Sequence, residues 1–581
     1  MRTALTERGE KWKDRGLAAL FVIGLWMFLA VFFDFYYDLN DDTAMKDILS
    51  GTYTGVPDGH CIQMLYPLGW CISLFYKMLP MIPWYGIFLC GCQFLALWVC
   101  LCSLLPKVAR TEKKASWLLL LTVGAGILFL YEWIFVQYTV TAGLLVIAAI
   151  VRLMAGPDAG MSGFFRYHSV TAFLAVLAFF LRTEMMLLFC PFAVLAVCWR
   201  VFPEWKRNNK DRSIFLKYGV LGMVVLAFMG MGVLADKAAY SSPQWQQFRQ
   251  FFDDRTSVYD FYGIPDYEIH KEFYEEIGLS EESYELLKNY NFELDQDIDA
   301  AQMQKIAAYA AEHQEQSMLR RLYLSVYTYV YRFLHGQELI FDLLLVVSYF
   351  FLGKAAFKNR NPQLLGKLML LFGTRTAIWL FLLYRGRVPE RITHPLYLAE
   401  FVMLALFFLL DADALQWKKY EKSAILSLYM LLFLCTALEH VQMTKDQYET
   451  REAVNEQWQE WKAYCLENPE PFYYLDVYSS VAYSEKMFSD TASDYRNFDL
   501  LGGWCSKSPI ASQKQAVRGI ESAEEGFLTG QALFVTDAAK LERSPEFLIS
   551  WYGEKGKQVS VTEMDKCGTF SIFRIGEDTV D

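Results

Sequence analysis

Ile62-Gln63-Met64-Leu65-Tyr66-Pro67-Leu68-Gly69-Trp70-Cys71-Ile72-Ser73-Leu74-Phe75-Tyr76-Lys77-Met78-Leu79 is apolar enough to enter a bilayer and polar enough to lie on one. Which it does decides the fold, because every later segment changes sides with it. Apolar segments fall near 17–37, 62–79, 83–105, 116–134, 138–153, 168–183, 185–202, 213–235, 337–357, 365–384, 395–411 and 422–440. Arg2, Arg8, Lys11, Lys13 and Arg15 place the N-terminus in the cytoplasm. If 62–79 spans, the cluster Lys107, Arg110, Lys113 and Lys114 falls outside. So do Arg200, Lys206, Arg207, Lys210 and Arg212, and Lys354, Lys358, Arg360 and Lys367. If it does not span, all of them lie inside, as basic loops do. Its own composition agrees: Gln63, Pro67, Gly69, Ser73 and Lys77 alternate with Tyr66, Trp70, Phe75 and Tyr76, rings that favour the headgroup level. The expectation is a polytopic α-helical membrane protein of about eleven transmembrane helices, with 62–79 lying along the surface.

Composition supports that class. Of 581 residues, 54% are hydrophobic and 20% charged, against about 25% charged in a soluble protein. The net charge of -11 and the lack of any basic stripe with interleaved aromatics exclude nucleic acid as a partner. The first apolar run has no small-residue cleavage site after it, so it is expected to stay as a span. Eight of the twelve cysteines (Cys71, Cys90, Cys92, Cys100, Cys102, Cys190, Cys198, Cys435) lie in apolar runs, and no zinc spacing occurs. Cys465, Cys505 and Cys567 leave room for one disulfide in the tail.

Four parts follow from this topology. Residues 1–235 form an N-terminal transmembrane module whose first outer loop, 34–83, carries a short helix near 43–49 and the surface helix. Residues 236–336 form a helical extracytoplasmic insertion, with Ser280-Glu281-Glu282-Ser283 as a helix start. Residues 337–440 supply the C-terminal transmembrane helices. Residues 441–581 form an extracytoplasmic α/β domain: a polar helix near 445–466, strands at 472–477 and 532–535, a helix near 537–552 and a hairpin of 558–563 with 569–575.

Candidate chemistry concentrates at the outer helix ends. Tyr36-Tyr37-Asp38-Leu39-Asn40-Asp41-Asp42 follows the first span at once. Carboxylates crowded beside a low-dielectric surface need a cation, a donor or a shared proton. The same properties suit a general base, or a site for a divalent cation such as Mg or Mn. The plainer alternative is a solvated boundary. Glu132, between Tyr131 and Trp133, and Glu184, beside Arg182, are further acidic candidates on that side. His60 in the same loop has no ligand partner nearby and is expected to be structural. Arg385, Arg387 and Arg391 stand on the side that orientation statistics disfavour. Guanidinium forks suit phosphate oxygens, so these three with Arg182 are candidates to hold a lipid-linked phosphate. The alternative is interfacial anchoring, or salt bridges to acids such as Glu390 and Glu400.

A first outer loop with Asn40-Asp41-Asp42 after the first helix, a surface helix in that loop and late outer arginines resemble the GT-C superfamily of membrane glycosyltransferases. The resemblance spans roughly residues 10–440 as architecture. It implies hexosyl or pentosyl transfer from a polyprenyl-phosphate carrier to a cell-envelope glycan, lipid or protein acceptor, on the outer face of the plasma membrane. By that resemblance Asp41 or Asp42 is the catalytic base, and Arg385, Arg387 or Arg391 holds the carrier phosphate. The insertion at 236–336 and the absence of a sequon-reading motif depart from the family pattern and leave the acceptor open.

Two other functions compete: a transporter or flippase of lipid-linked glycans, and a non-enzymatic envelope assembly protein. Transporters usually show inverted repeats and charges at mid-membrane. Here no repeat is visible and the ionisable residues gather at helix ends. No nucleotide-binding, dinucleotide-binding or common hydrolase motif is present.

Overall fold

The computed structural model describes residues 2–38, 40–108, 114–314, 317–335, 339–410, 419–480, 483, 485–488, 496–537 and 545–577. Helix α1 (Arg2–Phe32) leads into strand β1 (Tyr36–Tyr37) and helix α2 (Asn40–Ser50). Helix α2 starts three residues ahead of the expected helix, so Asp41 and Asp42 occupy its first turn. The unpaired N–H groups of a helix start favour carboxylates there. Gly51, at φ +86°, ends it, and a Cβ on Gly51 would lie 2.6 Å from Pro57 N. Helix α3 (Tyr66–Met78) has 13 residues. At 1.5 Å per residue it is about 20 Å long, too short for a hydrocarbon core of about 30 Å. Segment 62–79 therefore does not form a spanning helix.

Helices α4 (Trp84–Val108), α5 (Lys114–Leu128), α6 (Leu130–Ile134), strand β2 (Phe135–Val136), α7 (Tyr138–Ala155), α8 (Met161–Leu181), α9 (Thr183–Arg207) and α10 (Ser213–Ala239) follow. The expected span 116–134 breaks at Phe129, which leaves helical geometry (φ -120°, ψ 30°). Arg182 alone joins α8 to α9. Helix α7 is buried along its whole length, wrapped by α4, α8 and α9. Its start is capped by Gln137, whose side chain accepts from Thr139 N–H (2.6 Å) and Val140 N–H (3.1 Å).

The insertion holds α11 (Pro243–Ser257), a π-helical turn (Val258–Tyr262), α12 (Lys271–Ile277), α13 (Glu281–Lys288), α14 (Ala300–Glu312) and α15 (Met318–His335). Ser280 caps α13 as expected, accepting from Ser283 N–H at 3.1 Å. Helix α15 is not free of the bundle. Arg321 donates to the Tyr384 carbonyl (2.9 Å) and Tyr329 meets Thr376 (3.1 Å) on the next span but one.

Helices α16 (Leu339–Lys358), α17 (Pro362–Tyr384), α18 (Glu390–Leu410) and α19 (Lys419–Glu467) complete the helical part. Among the described residues eight helices are long and apolar enough to cross a membrane: α1, α4, α7, α8, α9, α10, α17 and α18. The chain is thus a multi-pass helical membrane protein. The other three expected spans fall on α5, with only 15 residues, on α16 and on the first part of α19. Helix α19 fuses the last apolar segment with the polar helix after it into 49 residues, roughly 70 Å of rod.

The basic residues of the expected inner loops are partly paired with acids. Asp158 binds Arg200 (2.5 Å) and Arg207 (3.1 Å), and Lys114 binds Asp14 (2.7 Å). The tail forms a five-stranded sheet in the order β5 (Phe498–Leu500), β3 (Phe472–Leu475), β6 (Ala532–Asp537), β8 (Phe570–Glu577), β7 (Val559–Cys567). β5, β3 and β6 run parallel, and β6, β8 and β7 antiparallel. The expected hairpin is present and β5 is additional. Helix Phe547–Glu554 lies within the expected 537–552 region and beyond it. Cys465, Cys505 and Cys567 are free thiols.

Candidate active site

A three-stranded ribbon holds the site. β1 pairs parallel with β2 (Tyr36 with Phe135, Tyr37 with Val136) and antiparallel with β4 (Glu485–Lys486). The ribbon continues into Asp38, whose N–H donates to the Val136 carbonyl at 3.1 Å. The first loop, the α6–α7 junction and the tail thereby meet beneath the acidic stretch.

The three aspartates are held differently. Asp42 is fully buried. Its Oδ1 accepts from Tyr85 Oη (2.9 Å) and from the N–H of Tyr138 in the first turn of α7 (3.3 Å), while Oδ2 has no hydrogen bond. Burial pushes its pKa well above the carboxylate range, the neighbouring Asp41 and Asp38 add to this, and the two donors oppose it. Asp38 accepts from Tyr131 Oη (2.8 Å) and from Arg451 (3.1 Å). Asp41 is half-buried and has no hydrogen bond or ion pair among the described residues. Burial raises its pKa too, against the fields of Arg391, Arg182 and Arg255.

Beside these acids opens a cleft of about 240 Å³ lined by Asp38, Tyr131, Glu132, Arg391, His394 and Arg451, among others. Glu132 is buried and bonds His394 Nδ1 through Oε1, leaving Oε2 without a partner. Arg391, half-buried in the first turn of α18, has no hydrogen bond or ion pair among the described residues. The charges of Asp38 and Asp41 both feel it.

The other expected arginines are dispersed. Arg385 stacks over Phe261 at 4.0 Å and Arg387 pairs with Asp260, so both grip the π-helical turn of the insertion and neither lines the cleft. The cause is local: Gly386 takes φ +70° and turns the chain, after which Pro389 precedes α18. Arg182 bonds the Gln63 side chain, pairs with Glu184 at 3.1 Å and lies over the Tyr138 ring at 5.3 Å. The Glu184 side chain is 72% exposed and does not join Glu132. Among the described residues no three His, Cys, Asp or Glu side chains gather at metal-binding spacing. His60 is structural in form: it bonds Asp58 (2.5 Å) and stacks on Trp245 at 4.8 Å.

Several participants were not singled out in the sequence. His394 follows the late arginines in the sequence, and its signal was an imidazole at the start of an apolar run. Arg451 became legible only once the last span and the polar helix proved to be one rod. Arg255 lay in the helical insertion, to which the sequence assigned no role. A buried ionic group inside the bundle was also missed. Arg375 of α17 binds Asp342 (2.8 Å) and Glu400 (3.2 Å), Tyr349 donates to Glu400 (2.6 Å), and Tyr397 donates to Asp342 (3.2 Å). Glu400 is thus not an outer partner of the late arginines, and the ionisable residues are not confined to helix ends.

No protein-family model and no curated protein matches the chain. Among solved structures it is similar to the crystal structure of ArnT from Cupriavidus metallidurans bound to undecaprenyl phosphate. The match covers 96% of this chain and 98% of that one, at 11% identity and a TM-score of 0.38. A TM-score that low is too small to decide fold or activity.

Proposed function

We propose that the chain is a glycosyltransferase moving a sugar from a polyprenyl-phosphate carrier to a cell-envelope acceptor at the outer face of the membrane. One observation carries the reading: a carboxylate, Asp41, and a guanidinium, Arg391, stand near enough for their charges to interact, with no counter-ion in contact with either among the described residues. Unpaired opposite charges in a half-buried site suit a reaction that delivers its own proton and its own anion.

In this reading Asp41 takes the proton of an acceptor hydroxyl as its oxygen attacks the anomeric carbon. The bond from that carbon to the phosphate oxygen breaks, and the phosphate leaves on the polyprenyl carrier. Arg391 neutralises the departing phosphate, with Arg182 nearby. Asp42, fixed by Tyr85 and Tyr138, holds the first turn of α2 in place. Arg385 and Arg387 are reassigned from the phosphate to the insertion.

The test is titration of purified protein with a polyprenyl-phosphate sugar. Arg391→Gln should weaken binding by about tenfold to a hundredfold, the equivalent of a charge-assisted contact of about 1.5–3 kcal/mol. Arg385→Gln should bind within about threefold of the parent. Equal binding by Arg391→Gln and the parent would remove Arg391 from the phosphate site.

A second reading, transport of a lipid-linked glycan, draws on the buried group of Arg375, Asp342 and Glu400, since buried charges within a bundle are common in transporters. Reconstituted vesicles distinguish the two: a transporter moves the labelled lipid across unchanged, whereas a transferase leaves it on one side with the sugar removed.

A further inference from the structure

Arg255 is the one arginine near Asp41 that comes from the insertion. It lies in the last turn of α11, 9% exposed, with its guanidinium over the Phe252 ring at 4.8 Å. It makes no hydrogen bond or ion pair with any described residue, and its Nε is buried without a partner. Its sequence neighbour Asp254 does not pair with it. The acid five residues on, Asp260, is taken by Arg387. Tyr259 and Tyr290, whose rings lie 3.9 Å apart, adjoin it, and its charge is felt by Asp41. A guanidinium cannot shed its proton. An uncompensated buried charge is costly unless something supplies the counter-charge, and the described chain supplies none in contact.

We infer that Arg255 binds an oxyanion, a phosphate or carboxylate, carried by the second substrate, distinct from the carrier phosphate assigned to Arg391. The inference rests on the proposed transferase reading for its division into two substrates. The anion site itself stands on the buried, unpartnered guanidinium alone. The arrangement gives the insertion a task. Asp260 and Phe261 tie the π-helical turn to Arg387 and Arg385 on the α17–α18 loop, and that tie anchors the chain just after α11, near enough for the Arg255 charge to act on Asp41. The tilted tyrosine pair beside it offers aromatic surface of the kind that packs on sugar rings.

The experiment uses the full-length protein in detergent, with inorganic phosphate and sugar-free polyprenyl phosphate as probes, read by calorimetry. In the parent, inorganic phosphate should still bind after saturation with polyprenyl phosphate. Arg255→Gln should weaken that second binding at least tenfold while polyprenyl phosphate binds as in the parent, and Arg255→Lys should restore part of it. Arg391→Gln should show the opposite pattern. Thermal unfolding separates a binding role from a scaffold role: Arg255→Gln should melt at or above the parent temperature, because it removes a charge that has no partner. The inference is overturned if polyprenyl phosphate displaces all inorganic phosphate, if Arg255→Gln binds phosphate like the parent, or if that variant melts well below it. If the parent binds no polyprenyl phosphate but loses inorganic phosphate with Arg255→Gln, the transferase reading fails and the anion site stands.

Discussion

Arg451 and Asp38, 413 residues apart, are joined at 3.1 Å, and Arg451 also reaches the Asp38 carbonyl and lies 3.4 Å from Tyr131 Oη. One guanidinium thus ties the rod that leads to the tail to the first residue of the acidic stretch. Arg451→Gln should cost about 1.5–3 kcal/mol, the range of a hydrogen bond to a charged group. Lys should recover only part, because it cannot serve several oxygens at fixed angles. Thermal unfolding in detergent is the check; no change in either variant would mean the contact is incidental.

Asp41 carries a pH signature. Its folded pKa is raised by burial, so the unfolded chain releases this proton first. Stability should fall as pH rises from the ordinary Asp value of about 3.9 to the raised folded value, and the penalty is constant above that. Asp41→Asn should therefore be neutral in acid and should melt higher than the parent near pH 8. Transfer should fail on the acid side at a pH above the usual carboxylate range, since the base must be ionised. Melting curves of parent and variant at pH 4 and pH 8 test the sign.

The buried group around Arg375 is predicted to be structural. Arg375→Leu leaves Asp342 and Glu400, at 2% and 1% side-chain exposure, without their cation, which should cost about 3–5 kcal/mol. Adding Asp342→Asn and Glu400→Gln should recover much of that. A triple variant that is stable but moves no lipid would instead favour transport.

Orientation is predicted from the Lys/Arg clusters of the sequence, which are expected in the cytoplasm. In a cysteine-free background, Lys206→Cys and Arg360→Cys should be labelled only from the cytoplasm and Lys288→Cys only from outside. Labels at 206 and 288 from one side would refute the topology.

Much of this was legible before any coordinates. That 62–79 does not span could be read because a span there would have put three basic clusters on the disfavoured side, and helix α3 has only 13 residues. The acidic turn stood out because three carboxylates, Asp38, Asp41 and Asp42, come within a few residues of the first apolar run. The division of labour within the site was not legible. Arg385, Arg387 and Arg391 look alike in sequence, and only the turn at Gly386 sends the first two to the insertion and the third to the cleft. The pairing of Glu132 with His394 and the convergence on Arg375 depend on how spans pack, which apolar periodicity does not encode when helices are apolar all round.

The central claim is that Asp41 drives removal of a sugar from a polyprenyl-phosphate carrier. Mass spectrometry of membrane lipids tests it most directly, comparing cells with the parent, with Asp41→Asn at equal membrane abundance, and without the protein. The account predicts one polyprenyl-phosphate sugar accumulating to the same level in the variant and the deletion, and not in the parent. An Asp41→Asn profile identical to the parent's would contradict it.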